Sequence, residues 1–201
     1  MVTQLYANHG KGAADGTTAT NTLLSGGGDN ALLIGGTTGW TFAAADRSPD
    51  GPADGHGFRR TPNNTTSYLR AAWTATGSRN GARFWLYLNG APAANWNCAR
   101  MVSAAETAVI NVFQLTSGAI RLTLGTSTAI TASASGAITT PGWYCFTVIG
   151  DDEAGRIQYR VQNSVGTVVH SWDSGAGAYT LPNQIAGFRM GEPSASLHGI
   201  N

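Results

Sequence analysis

The stretch GWYCFTVIGDDEAGRIQYRV, from Gly142 to Val161, decides how the chain is read. On its second half, Ile157, Tyr159 and Val161 alternate with Arg156, Gln158, Arg160 and Gln162. Period-two alternation of apolar and polar residues marks a half-buried antiparallel strand. The first half is a second strand, ending near Val148. Between the two lies IGDDEAGR, residues 149–156, with two glycines around three acids. Asp tolerates turn geometry and Gly supplies positive φ, so this segment predicts a hairpin tip. Asp151, Asp152 and Glu153 are adjacent and lie in this turn, so they are not presented on one face of a strand as paired catalytic acids would be. Asp151 and Asp152 are the calcium candidates at the tip, because hard oxygen ligands cluster there. The polar turn is the preferred reading, and no cofactor is expected.

Working outward, the same alternation recurs. Leu69, Ala71 and Trp73 alternate with Tyr68, Arg70 and Ala72. Phe84, Leu86 and Leu88 lie opposite Arg83, Trp85 and Tyr87, and Ile120, Leu122 and Leu124 lie opposite Arg121 and Thr123. TAVINVFQL, residues 107–115, is apolar on both faces and predicts a central strand. SAAETA, residues 103–108, is the one piece with helical character, too short to outweigh the strands around it. Turn signals such as NG, SG, GD and PG punctuate the chain at intervals that suit a sandwich or barrel.

Composition agrees. The chain has 201 residues, room for one domain over residues 1–201. Only 11% are charged while 42% are hydrophobic, so polarity rests on Gly, Ser, Thr and Asn. A net charge of +1 argues against a nucleic-acid partner, which needs a basic surface to displace counterions. Lys11 is the single lysine, and the arginines are scattered along the chain, as a GC-rich genome would produce. Residues 1–60 are rich in Gly and Asp and predict short strands within long loops, an arm-like segment without helix. Asp46, Asp50 and Asp54 recur there at every fourth position, but Pro49, Gly51 and Pro52 forbid a regular helix, so a solvated loop is preferred to a calcium site. Cys98 and Cys145 fit neither metal-ligand spacing nor a disulfide framework, and their apolar neighbours predict two small buried residues, with one bridge as the alternative. The first residues lack a secretory signal, and no apolar run reaches the length of a membrane span. Assembly in a cytoplasm, without membrane insertion, is the expectation.

The aromatic residues supply the candidate site. Sugar faces carry C–H groups that pack on aromatic rings, while Asn, Asp and Arg fix orientation by hydrogen bonds. The polar face of RFWLYLN offers Arg83, Trp85, Tyr87 and Asn89 as a glycan-binding strip, and the neighbouring NWN, residues 95–97, adds Trp96 as a loop wall. Trp73, Trp143 and Trp172 begin or end alternating strands and are assigned to the core. His170, in VVHSW, is assigned a structural role. No Gly-x-Ser-x-Gly elbow accompanies the four histidines, so no Ser–His–Asp site is predicted.

Three segments carry a family resemblance. YANHGKGAADGTTATNTLLSGGGDNA, residues 6–31, resembles a first-strand segment. HGFRRTPNNTTSYLRAAWTA, residues 56–75, resembles the segment where ligand-facing strands begin. TTPGWYCFTVIGDDEAGRIQYRVQNSVGTVVHSW, residues 139–172, is similar to a hairpin that a tryptophan opens. Together they resemble concanavalin A-like, laminin-G-like domains of phage virion proteins. The resemblance implies an all-β, antiparallel two-sheet jelly-roll sandwich behind a Gly-rich N-terminal segment. It implies a non-enzymatic virion subunit of a tail, fibre or capsid surface, assembled in the host cytoplasm with other virion subunits and with copies of itself. It also implies attachment to a host cell-surface glycan; a carbohydrate-binding module is the alternative. The family's closing strand carries paired acids, and the ending FRMGEPSASLHGIN lacks them, so a missing closing strand enters the expectation. The fold class includes glycoside hydrolases, which need two carboxyl groups flanking the scissile bond. With only Glu106, Glu153 and Glu192 as glutamates and no acidic strand, hydrolysis is the least favoured reading.

Overall fold

A computed structural model describes residues 33–36, 40–42, 58–60, 67–125, 128–130 and 137–192. The arm expected over residues 1–60 lies outside the described residues apart from three short strands. So do Asp46, Asp50 and Asp54, and so do residues 193–201 of the ending where a closing strand was in question.

The described residues are all β, with no helix among them. Thirteen strands follow in chain order: β1 (Leu33–Gly36), β2 (Trp40–Phe42), β3 (Phe58–Arg60), β4 (Ser67–Ala72), β5 (Arg79–Leu88), β6 (Trp96–Val102), β7 (Ala108–Gln114), β8 (Ile120–Leu124), β9 (Thr128–Ile130), β10 (Gly142–Asp151), β11 (Arg156–Asn163), β12 (Val168–Asp173) and β13 (Gly187–Glu192). One sheet has the order β1-β4-β13-β6-β7-β8-β9 and a second the order β12-β11-β10-β5, while β2 and β3 form a separate ribbon. Every pairing is antiparallel.

The alternation read from sequence sets which side chains face inward. Phe84, Leu86 and Leu88 of β5, Tyr144, Phe146 and Val148 of β10, and Ile157, Tyr159 and Val161 of β11 are all buried. They share one core with Leu69, Met101, Ile110, Val112, Ile120 and Leu122 of the seven-stranded sheet. Phe84 stacks on Phe146 of its own sheet at 5.5 Å, and on Phe188 of the other sheet at 5.6 Å. Both faces of β7 are largely buried, as its two-sided apolar pattern predicts for a central strand. Residues 103–107 form a turn between β6 and β7 rather than a helix. There Ser103 N–H donates to Thr107 O, and Glu106 N–H donates to Ser103 O, both at 2.9 Å.

The opening hairpin forms as read. β10 and β11 pair from Tyr144↔Asn163 to Asp151↔Arg156, and residues 152–155 make the turn. Ala154 N–H donates to Asp151 Oδ1 at 3.0 Å, so the first acid caps the turn. Gly155 adopts φ 56°, and a Cβ there would sit 2.6 Å from Tyr179 O. Gly150 has no side chain for a different reason: a Cβ would approach Leu181 Cδ2 to 2.6 Å and Ile185 Cδ1 to 2.9 Å. The segment after β12 folds back at this point and buries Leu181 and Ile185 against the core.

Candidate functional site

Strands β5 and β10 carry the predicted strip on the outer face of the four-stranded sheet. The register places Tyr87 opposite Trp143, Trp85 opposite Cys145, and Arg83 opposite Thr147. Trp85, Tyr87 and Trp143 are half-buried, and Arg83 and Asn89 are exposed. Tyr87 and Trp143 meet edge to face at 5.6 Å. Same-face residues along a strand are about 7 Å apart, and neighbouring strands about 4.8 Å. Trp85, Tyr87 and Trp143 therefore make one aromatic surface, bordered by Arg83 and by Thr147 and Arg160 in the next strands.

Trp143 joins this surface instead of the core to which the sequence assigned it. Tyr144, Phe146 and Val148 take the inward positions of β10, so residue 143 must face outward with residues 145 and 147. Trp73 and Trp172 do pack against the core, as expected.

Trp96 does not join Trp85 and Tyr87. It lies in the other sheet, 4% exposed, and its indole N–H donates to Gln114 Oε1 at 3.0 Å. The cause is a bulge in β6: Asn97 pairs with Phe113 while Ala99 pairs with Val112, leaving Cys98 as the extra residue. Without it, strict alternation from Met101 and Ala99 would turn Asn97 inward and Trp96 outward. The bulge reverses the two. Cys98 is fully buried, its S–H reaches Val112 O at 3.2 Å, and burial pushes its thiol pKa up to about 12. Cys145 is also buried and reduced, and Arg83 Nε donates to its sulfur at 3.1 Å.

At the hairpin tip, Asp151 pairs in register with both Arg79 and Arg156. Its carboxylate accepts a turn N–H between two cationic neighbours. Asp152 is exposed. Among the described residues no three His, Cys, Asp or Glu side chains converge as a metal site would require. His170 packs at 4.9 Å from the ring of Tyr159. Nearby, Asp173 accepts from Arg156 Nε at 2.8 Å and from Gln158 Nε2 at 2.7 Å. The Arg156 guanidinium, with the Gly175 N–H, holds that carboxyl well below the usual range.

A second polar assembly, unforeseen in the sequence, lies on the outer face of the seven-stranded sheet. Arg189 of β13 pairs in register with Arg70 of β4 on one side and with Arg100 of β6 on the other. Three guanidinium side chains thus follow one another across adjacent strands. Like charges directly opposite each other destabilise a sheet. Glu106, from the β6–β7 turn, intervenes: Oε1 lies 3.0 Å from Arg70, and Oε2 accepts from Arg189 Nε at 3.1 Å and Nη2 at 2.5 Å. Arg189 also lies over the ring of Tyr68 at 4.6 Å. Arg100 donates to the neutral Asn111 Oδ1 at 2.6 Å. Burial chiefly, and Arg189 secondarily, lower the pKa of Arg100. Each of these arginines stands at an outward position of its own strand, which is the only signal the sequence offers; their convergence depends on register.

No protein-family model matches the chain, and no curated protein matches it. No helix among the described residues is long and apolar enough to cross a membrane.

Proposed function

We propose that the chain is a non-enzymatic, lectin-like sandwich that binds a cell-envelope glycan through the outer face of its four-stranded sheet. The observation that carries this reading is the joint surface of Trp85, Tyr87 and Trp143 beside Arg83. Half-buried aromatic rings on a rigid sheet offer stacking area at little entropic cost, and a bordering arginine supplies directional donors. The two antiparallel sheets around one core are compatible with a jelly roll of the concanavalin A-like type. The sequence resemblance extends the proposal to a subunit of a phage tail, fibre or capsid surface, oligomeric and used for host attachment. Glycoside hydrolysis has little support. A hydrolase needs a carboxyl group kept protonated as general acid. Glu106 is instead engaged by Arg70 and Arg189, and Asp173 by Arg156.

The test is a pull-down of the purified protein on host-type cells and extracted cell-wall polysaccharide, with the oligomeric state measured on the same sample. Saturable binding that free polysaccharide competes away, and that Trp85→Ala and Tyr87→Ala abolish in folded protein, is the expected result. Unchanged binding by both variants rejects the site. A binding-competent monomer favours a free-standing carbohydrate-binding module over a particle subunit.

A further inference from the structure

We infer that the cross-strand row Arg70–Arg189–Arg100 is a carboxylate-binding site for an acidic saccharide. This deepens the glycan-binding reading and rests on it, but the site lies on the opposite sheet from the aromatic surface.

Charge balance is the first argument. The three arginines carry three positive charges, and Glu106 is the one carboxylate that pairs with them among the described residues. Among the described residues the row keeps an excess of two positive charges in a half-buried setting. Arg189 is 14% exposed and Arg70 34%, and Arg100 is half-buried, so none of the three is sealed inside the core. A half-buried cation gains more from an added anion than a fully solvated one does.

Geometry is the second. Glu106 bridges Arg70 and Arg189 with its two oxygens, which demonstrates how a planar carboxylate seats between neighbouring arginines of this row. Arg100 flanks Arg189 on its other side at the same strand spacing. Its acceptor there is a neutral amide, Asn111 Oδ1, and no described carboxylate forms an ion pair with it. A ligand carboxylate seated between Arg189 and Arg100 repeats the arrangement that Glu106 makes with Arg70.

Backbone conformation is the third. Glu106 is the one non-glycine residue with positive φ, 63°, among the described residues. A left-handed residue with a side chain costs about 1–2 kcal/mol. The turn bears that cost while holding a carboxylate over the arginines. Glu106 neutralises part of the row and so weakens its attraction for an external carboxylate seated between Arg189 and Arg100.

The experiment uses oligogalacturonate and its neutral methyl ester as probes, titrated calorimetrically into the full chain. Binding of the acid that weakens with salt, with markedly weaker binding of the ester, is expected. Arg100→Gln should weaken binding of the acid by about tenfold, the loss of one charge-assisted contact. Glu106→Gln should strengthen it, and Trp85→Ala should leave the difference between acid and ester intact. Thermal unfolding of each variant confirms that it folds. Equal binding of acid and ester overturns the inference and leaves the glycan-binding reading standing. An unchanged affinity in folded Arg100→Gln also overturns it, as does equally Arg100-dependent binding of an aspartate-rich peptide. Failure of both probes and of cell-wall polysaccharide to bind overturns the inference and the underlying reading together.

Discussion

Phe84 of the four-stranded sheet and Phe188 of the seven-stranded sheet stack 5.6 Å apart at an interplanar angle of 16°. Phe146 lies on Phe84 as well, at 5°. The three rings form a continuous stack from one sheet to the other. Phe84 therefore joins the two layers directly, through dispersion and the exclusion of water.

Replacing Phe84 by alanine should cost about 3–5 kcal/mol, because the cavity opens between two sheets that cannot both collapse into it. Phe84→Leu retains most of the volume and should cost markedly less. Urea denaturation followed by tryptophan fluorescence measures both. Near-equal losses would mean that the stack contributes little beyond apolar area.

Trp96 and Gln114 form a buried polar pair, and Gln114 Nε2 also donates to Gly90 O at 2.8 Å. Trp96→Phe leaves Gln114 Oε1 without its donor and should destabilise by about 1–3 kcal/mol. Glycan affinity should be unchanged, because Trp96 faces the core of the other sheet. Lost binding in a variant with normal unfolding would return Trp96 to the binding site.

Asp173 has a pKa lowered by Arg156, so the sign of its pH dependence is determined. The stabilisation from the pair is present above the ordinary carboxylate value, about 3.9, and is lost as pH falls through the lowered native value. The carboxyl is solvent-exposed, so the effect should be small and should shrink with salt. Side-chain carbonyl NMR shifts through an acid titration report it directly. An Asp173 midpoint at the ordinary value would contradict the pairing.

The hairpin 142–161 shows how much of the fold was legible in advance. Period-two alternation on the second arm, with Asp and Gly at the tip, named two strands, the inward face of the second and the turn. The same argument located β4, β5 and β8, and a run apolar on both faces located β7. Trp143 was misplaced although its own strand pattern held the answer: once Tyr144, Phe146 and Val148 turn inward, residue 143 faces outward. Its place at the start of an alternating strand suggested the core, but parity along that strand decides its face. The strip of Arg83, Trp85 and Tyr87 was legible because all three lie on one strand, where spacing alone places them on a common face.

The sequence by itself determined the class of structure and the inward faces of β4, β5, β8 and β11, because alternation is a local property of an extended backbone. Tertiary structure decided what lies next to what. The Cys98 bulge turned Trp96 into the core, since an extra residue in one strand reverses parity relative to its partner. Arg70, Arg100 and Arg189 are separated by 30 and 89 residues and look scattered in the chain. They meet because β13 is inserted between β4 and β6 in one register, and interstrand register is set by hydrogen bonding and core packing between segments remote in sequence.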